Sequence, residues 1–521
     1  MNLPNFVEGR WTVGDDAGQA LADPVLGTEL VRVSSRGINY GDGLHYARAV
    51  GGPALRALTY AERSALLGRV AEVLTANREE YYRISLENSG ATKTDAAFDV
   101  DGAIYTLKYY AKAGATLGAA RVLRDGDIAS LSRDESFQAL HLLFPLRGAA
   151  ILINAFNFPA WGLWEKAAGA LLSGVPVFAK PATATAWLAQ CMVRNVAEAG
   201  VLPEGAISTV CGPAGDLLSH VTAHDVIAFT GSAETAIKIR SNAAVIGNST
   251  RVNIEADSLN SALLGPDATV GSAEFDLLVR EVITEMTVKA GQKCTAIRRI
   301  LVPRSRYHEV AEALAAKLAK VPVGNPRNEA VRMGPLVSKT QQRAVMAVAG
   351  QLKRETKTLF ESRGDDLVDA DPNVGAFVPL TLLGCDDPLT ARAVHELEPF
   401  GPVATLMPYD EVSQAIEFAE RSGGSLVASV YTGDVAVAQA VARGLAASHG
   451  RVNVVNASVT KSATGHGNVM PQSHHGGPGR AGNGQELGGL RALRLYHQLA
   501  VTQGPRDLIA AAVVETSEFR P

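Results

Sequence analysis

The chain has no apolar run near the roughly 18 residues that a membrane-spanning helix needs, so no membrane span is expected. The opening residues, Met1-Asn2-Leu3-Pro4-Asn5, lack a basic start followed by an apolar core, so no signal peptide is expected. Cysteine is sparse: Cys191, Cys211, Cys294 and Cys385 stand far apart, with no Cys-x-x-Cys pair. That excludes a ribbon-type zinc site and gives no disulfide framework. A reducing, cytoplasmic setting fits. There is no long basic run, and the net charge is −4. Neutralising phosphates takes clustered Lys and Arg, so nucleic acid is not an expected partner.

What is present is an ordinary globular balance, 47% hydrophobic and 20% charged. At 521 residues the chain is too long for one core and predicts two or three domains. From Asn5 to Arg32 short mixed runs are broken by Gly14, Gly18, Pro24 and Gly27, which reads as small strands and turns. Helical spacing runs from about Thr59 to Lys112. Residues 130 to 147 read as strand. Four apolar strands are then predicted, at 148–154, 175–179, 207–210 and 226–229, with helices after three of them. Strand, turn and helix repeated at this spacing indicate a parallel sheet with crossover helices. A second series runs from about Glu274 to Val459, with strands at 300–302, 404–407, 429–431 and 452–455. Two α/β domains follow. The alternation of Leu493, Leu495 and Tyr496 predicts an added strand in the tail.

Ligands bind such sheets at the carboxyl ends of the strands. Asn157, Lys180 and Gly231-Ser232 all fall there. Asn157, in a strand-to-helix turn, can donate to a developing oxyanion or simply satisfy its own turn. Gly231-Ser232 opens a helix whose amides can face a phosphate. Glu255 ends an apparent strand and can serve as a general base or lie on the surface. Cys294, in Gly291-Gln292-Lys293-Cys294-Thr295, has a cation one position ahead, and thiolates form more readily near positive charge. A lone cysteine is more often core packing. The match Gly477-Pro478-Gly479-Arg480-Ala481-Gly482 to a dinucleotide fingerprint is rejected, because no strand precedes it; it reads as a glycine-rich loop. His474 and His475 resemble a ligand pair. Neighbours on a strand point to opposite faces, and no carboxylate-rich partner is near in sequence, so no metal is expected.

Taken together these pieces resemble the aldehyde dehydrogenase superfamily. The resembling segments are Phe156-Asn157-Phe158-Pro159, Lys180-Pro181-Ala182, Phe229-Thr230-Gly231-Ser232, Glu255, Gly291-Gln292-Lys293-Cys294, Glu398-Pro399-Phe400-Gly401-Pro402 and Asn456. They stand in the family's order across nearly the whole chain. The resemblance implies an α/β aldehyde dehydrogenase fold: a Rossmann-like cofactor domain, an α/β catalytic domain and a small β oligomerisation hairpin. The implied segments are 1–127 and 147–257 for the cofactor domain, 128–146 for the hairpin, 258–468 for the catalytic domain, and 469–521 for the return to the hairpin sheet and the tail. A homodimer or a dimer of dimers is implied.

Carried over by the resemblance, Cys294 is the nucleophile, Asn157 holds the oxyanion with the Cys294 amide, and Glu255 activates the deacylating water. Lys166 and Glu486 match a proton-relay pair. Phe156, Lys180, Ala182, Thr183, Gly231, Ser232, Glu398 and Phe400 match cofactor-binding positions. Two departures stand out. Ala256-Asp257-Ser258-Leu259-Asn260 replaces the usual Leu-Gly-Gly-Lys-Ser, and Phe156 replaces a tryptophan. At Thr183 NAD-preferring members carry a glutamate, which would repel a 2′-phosphate. The expected cofactor is therefore NADP, with NAD as the alternative. Residues 475–482 resemble members that oxidise CoA-linked semialdehydes in aromatic-acid breakdown, so the implied substrate is an aldehyde, free or CoA-linked. The alternatives are a CoA-acylating enzyme, an enzyme of general medium- or long-chain aldehydes, and a cofactor-binding protein without turnover.

Overall fold

Two seven-stranded sheets carry the architecture of the computed structural model, which describes residues 2–514 and 516–520. Met1, Glu515 and Pro521, which the expected first and last segments include, lie outside the described residues. In spatial order the first sheet is Arg251–Glu255, Val226–Thr230, Ala150–Ile153, Val177–Lys180 and Ile207–Thr209, all parallel, then Asn5–Val7 and Arg10–Thr12, antiparallel at the edge. The parallel strands are almost entirely buried and read as continuous apolar runs, as strands covered on both faces must. Their register matters for the site. Thr230 pairs with Glu255, Phe229 with Ile153, and Ile153 with Lys180. The carboxyl ends therefore finish level, and the segments leaving them start side by side.

The second sheet runs Lys357–Glu361, Thr381–Gly384, Val403–Tyr409, Ile297–Pro303, Asn260–Leu264, Ser425–Tyr431 and His449–Val455. Apart from the first pair, its neighbours are parallel. It contains every strand expected for the second series. It also contains Asn260–Leu264, which the sequence reading missed because Asn260 and Ser261 interrupt its apolar pattern. Both are fully buried, and Asn260 is satisfied by hydrogen bonds rather than by water.

A third sheet lies outside these two. Phe137–Pro145 pairs antiparallel with His497–Pro505 along its whole length, and Val122–Arg124 and Thr516–Glu518 extend it. Helix Arg506–Val514 packs Ile509 onto Leu140 and Leu142. Phe137, Phe144, Leu499 and Val501 remain exposed.

The tail strand is displaced from its expected place. Gly489–Tyr496 is a 3-10 helix, and the strand begins only at His497. Gly488 and Gly489 both take left-handed backbone, with φ of 77° and 65°. Leu490, Leu493 and Tyr496, three apart, then share a face and pack against the core beside the first sheet, with Leu493 and Tyr496 buried. That spacing had been overshadowed by the alternation of Leu493 and Leu495.

Among the described residues no helix is long and apolar enough to cross a membrane.

Candidate active site

The level strand ends of the first sheet face the loop that carries Cys294. Two cavities meet there. One, of about 530 Å³, includes Phe98, Phe158, Trp161, Glu165 and His475 in its lining. The other, a groove of about 1370 Å³, runs past Phe156, Ala182, Gly231, Ser232, Glu398 and Phe400. Asn157, Thr230, Glu255 and Cys294 line both. Cys191, Cys211 and Cys385 are buried, whereas Cys294 is half-buried.

The Cys294 loop is pinned by polar side chains acting on its carbonyls. Arg298 donates to the carbonyls of Gly291 at 2.9 Å and Lys293 at 3.2 Å, and to that of Gly401 at 2.7 Å. Asn260 donates to the Cys294 carbonyl at 2.8 Å and the Ala296 carbonyl at 3.0 Å. Its own carbonyl accepts from the Ser258 hydroxyl at 2.7 Å. The unusual sequence after Glu255 thus has a use: Asp257 accepts from the Ala233 amide, the Ser258 amide donates to Glu398, and Asn260 reaches the Cys294 loop. Asn260→Ala is expected to leave two buried carbonyls without donors, at about 1–3 kcal/mol. It is also expected to slow cysteine acylation by about tenfold through misplacement of the sulfur. Denaturant titration and pre-steady-state rates measure the two effects.

The cation expected to serve Cys294 is turned elsewhere. Lys293 is buried with its Nζ 2.7 Å from Glu285 Oε1, over the Phe98 ring. It has a carboxylate of its own, so it does not offer its charge to the sulfur. Burial, with the charges of Glu255, Glu165 and Glu398 behind it, pushes the Cys294 thiol well above its usual range.

Glu255 is 2% exposed at the end of its strand. The glycine-rich loop lies directly against that end. The Ala256 amide donates to the Ala481 carbonyl at 3.0 Å. Gly482, at φ 101°, passes so close that a Cβ there would stand 2.4 Å from the Ile254 carbonyl oxygen. The glycines therefore allow close backbone packing beside the carboxylate. Just before the loop, His474–His475 forms a two-stranded hairpin with Glu486–Leu487, pairing His475 with Glu486. This overturns the expectation that no carboxylates attend the histidines. His475 Nε2 is 3.2 Å from Glu255 Oε1. A His475 nitrogen, a Glu255 oxygen and Cys294 Sγ lie within 4.8 Å of one another. The two histidines do face opposite ways: His475 is buried and His474 is half-buried.

Lys166 sits between Glu165 at 2.9 Å and Glu486 at 3.0 Å. Asn253 donates to the other Glu486 oxygen at 3.1 Å. Burial works against the Lys166 charge, but the carboxylates of Glu165, Glu486 and Glu255 more than restore it. Burial raises Glu486 to about 7 against the pull of Lys166, with Glu165 and Glu255 adding to the rise. A carboxyl that titrates near neutrality can pass protons in either direction. Glu165 was not singled out from sequence. Its only signal was adjacency to Lys166.

The groove holds the remaining candidates unevenly. Phe156, Ala182, Gly231, Ser232, Glu398 and Phe400 line it. Lys180 and Thr183 stand beside it instead. Lys180 Nζ donates to the Pro181 carbonyl at 2.7 Å, and the Thr183 hydroxyl to the Gly212 carbonyl at 3.3 Å. Ser232 caps helix Ala233–Arg240, accepting from the Thr235 amide at 3.3 Å.

Residues 11–500 match the sequence model of the aldehyde dehydrogenase family. The chain belongs to the aldehyde dehydrogenase family. It is 58% identical, over 92% of its length and 93% of the relative's, to the 3,4-dehydroadipyl-CoA semialdehyde dehydrogenase of Aromatoleum evansii. Its fold matches the crystal structure of lactaldehyde dehydrogenase from Escherichia coli, with a TM-score of 0.84 at 22% identity, covering 96% of this chain and 99% of that one. A betaine aldehyde dehydrogenase from Staphylococcus aureus, solved with NAD+, matches with a TM-score of 0.82 at 23% identity, covering 96% and 97%. The groove of this aldehyde dehydrogenase suits a pyridine nucleotide. Both carboxamide atoms of Asn154 and the Oε1 atom of Glu398 are buried without hydrogen-bond partners, and both residues line the groove. Hydroxyls and amides of a bound nucleotide would satisfy such groups. Burial also lifts the Glu398 carboxyl to about 7, opposed by Arg298 and reinforced by Asp257.

Proposed function

We propose that this aldehyde dehydrogenase oxidises a CoA-linked semialdehyde, 3,4-dehydroadipyl-CoA semialdehyde, to its carboxylic acid, with NADP preferred over NAD. The observation that carries the reading is the meeting of Cys294, Asn157 and Glu255 where two cavities join. The substrate is taken from the relative that is 58% identical along almost the full chain.

In this mechanism the Cys294 sulfur adds to the aldehyde carbon. Asn157 and the Cys294 amide donate to the resulting oxyanion. The nucleotide, held by Phe156, Lys180, Ala182, Thr183, Gly231, Ser232, Glu398 and Phe400, supplies the hydride acceptor. A thioester is left on Cys294. Glu255 removes a proton from water, and the water cleaves the thioester. Lys166 and Glu486 carry that proton away. Covalent capture divides one difficult oxidation into two easier steps. In this reading the first sheet forms the cofactor domain (residues 1–127 and 147–257), the second the catalytic domain (258–468), and the exposed apolar face of the third pairs subunits into a dimer. A kinetic screen of CoA-linked and free aldehydes with both cofactors tests the substrate. Equal kcat/KM for the free aldehydes would overturn the CoA-linked assignment.

The cofactor preference rests on Thr183. A glutamate there brings a carboxylate where threonine has a neutral hydroxyl. Thr183→Glu is expected to shift the ratio of kcat/KM values toward NAD by about tenfold or more, about 1.4 kcal/mol. An unchanged ratio would place the discrimination elsewhere.

A further inference from the structure

One charged group in the aldehyde-side cavity has no part in the mechanism proposed above. His475 is 7% exposed, 3.2 Å from Glu255, and in one cluster with the Cys294 sulfur. Glu255, Glu165 and Glu398 turn negative charge toward that sulfur. The nearby cations are already engaged. Lys166 lies between Glu165 and Glu486, Lys289 is paired with Asp99, and Lys293 with Glu285. Arg298 and Arg451 also reach the sulfur electrostatically, but Arg298 is held by the Gly291, Lys293 and Gly401 carbonyls and by Glu398, and Arg451 by the Asn468 carbonyl. A half-buried thiolate beside a buried carboxylate, with no cation of its own, is a costly arrangement.

We propose that His475 is a positioning residue whose imidazolium holds the Glu255 carboxylate and offsets its charge at Cys294, so that the cysteine ionises at a lower pH than it would beside the carboxylate alone. This rests on the dehydrogenase reading above. The step is a simple ionisation. The Cys294 S–H bond breaks, the electron pair stays on sulfur, and the proton leaves to solvent. His475 keeps its proton throughout.

The groups around His475 favour its charged form. Glu255 faces it from strand Arg251–Glu255, Glu165 from helix Trp161–Leu172, Glu486 from the partner strand of its own hairpin, and Cys294 from the loop. The cation Lys166, on the same helix, lines the cavity with it, and His474 adjoins it; burial, then His475 and Arg451 on His449–Val455, lower the affinity of His474 for a proton. Burial disfavours the His475 charge, but Glu255 first, then Glu165 and Glu486, raise its affinity above the usual histidine value. The same contact, with Lys166 adding to it, holds Glu255 below the usual carboxylate range despite its burial.

The test is the pH dependence of Cys294 alkylation by iodoacetamide in the full-length enzyme without substrate, with mass spectrometry locating the label. Wild type, His475→Gln, Glu255→Gln and the double variant are compared. The wild-type midpoint is expected above the roughly 8.5 of a free thiol. His475→Gln should raise it by about one pH unit or more, a tenfold slower alkylation at pH 7. In the Glu255→Gln background the same change should have a smaller effect, because the carboxylate it offsets is gone. A purely structural role for His475 would change thermal stability and leave the midpoint in place. An unchanged midpoint, or an equal shift in both backgrounds, overturns the inference. If His475→Gln does not fold, His475→Asn takes its place, and a midpoint that Glu255→Gln leaves unchanged still overturns the inference, because the Glu255 charge is what His475 offsets. Label on Cys294 that leaves oxidation intact would sink the dehydrogenase reading itself, a result distinct from the others.

Discussion

Cys294→Ala is expected to leave cofactor binding intact and to abolish aldehyde oxidation. Without the sulfur there is nothing for the aldehyde carbon to bond to before hydride leaves. Asn157 and the loop amide alone cannot replace that bond. The loss in kcat/KM should reach at least about 10⁴. The loop should keep its shape, because its anchors are carbonyls held by Arg298 and Asn260 rather than the side chain. Titration of nucleotide by fluorescence, with single-turnover assays, checks both halves. Residual oxidation near the wild-type rate would remove Cys294 from the role.

Glu255→Gln should separate the two half-reactions. The carboxamide keeps the shape of the side chain but cannot take a proton from water. Acylation should therefore proceed, giving one equivalent of reduced nucleotide per site, and then stall as a thioester. Steady-state kcat should fall by about 10²–10⁴. Rapid mixing shows the burst, and intact-mass spectrometry after quenching shows the acyl adduct. Steady turnover at the wild-type rate would exclude Glu255 as the base. A loss of the burst itself would mean that the carboxylate is needed before acylation.

Much of this was legible in the sequence, for a physical reason. Strands buried on both faces announce themselves as apolar runs, so the strand ends of the first sheet, and with them the positions of Asn157, Lys180 and Gly231-Ser232, could be placed from pattern alone. What stayed hidden depended on contacts between distant segments. Asn260–Leu264 is a central strand that begins with two polar residues, and no local rule shows that a carboxamide there reaches the Cys294 loop. Lys293 stands beside Cys294 in sequence, but its ammonium goes to Glu285, one turn of chemistry away from the sulfur it was expected to serve. The role of the histidine pair was equally hidden. The only signal was two adjacent histidines at the head of a glycine-rich loop, and the carboxylates of Glu255 and Glu165 that meet them come from segments hundreds of residues earlier. The tail strand was misplaced because Leu493, Leu495 and Tyr496 alternate, whereas the paired left-handed glycines before them set a three-residue period.

The two cavities share only the walls nearest the sulfur and are otherwise lined by different residues. The site therefore has separate doors. In the proposed mechanism nucleotide would occupy the groove and the acyl group the other cavity, so that apart from the walls at Cys294 the two would touch different residues.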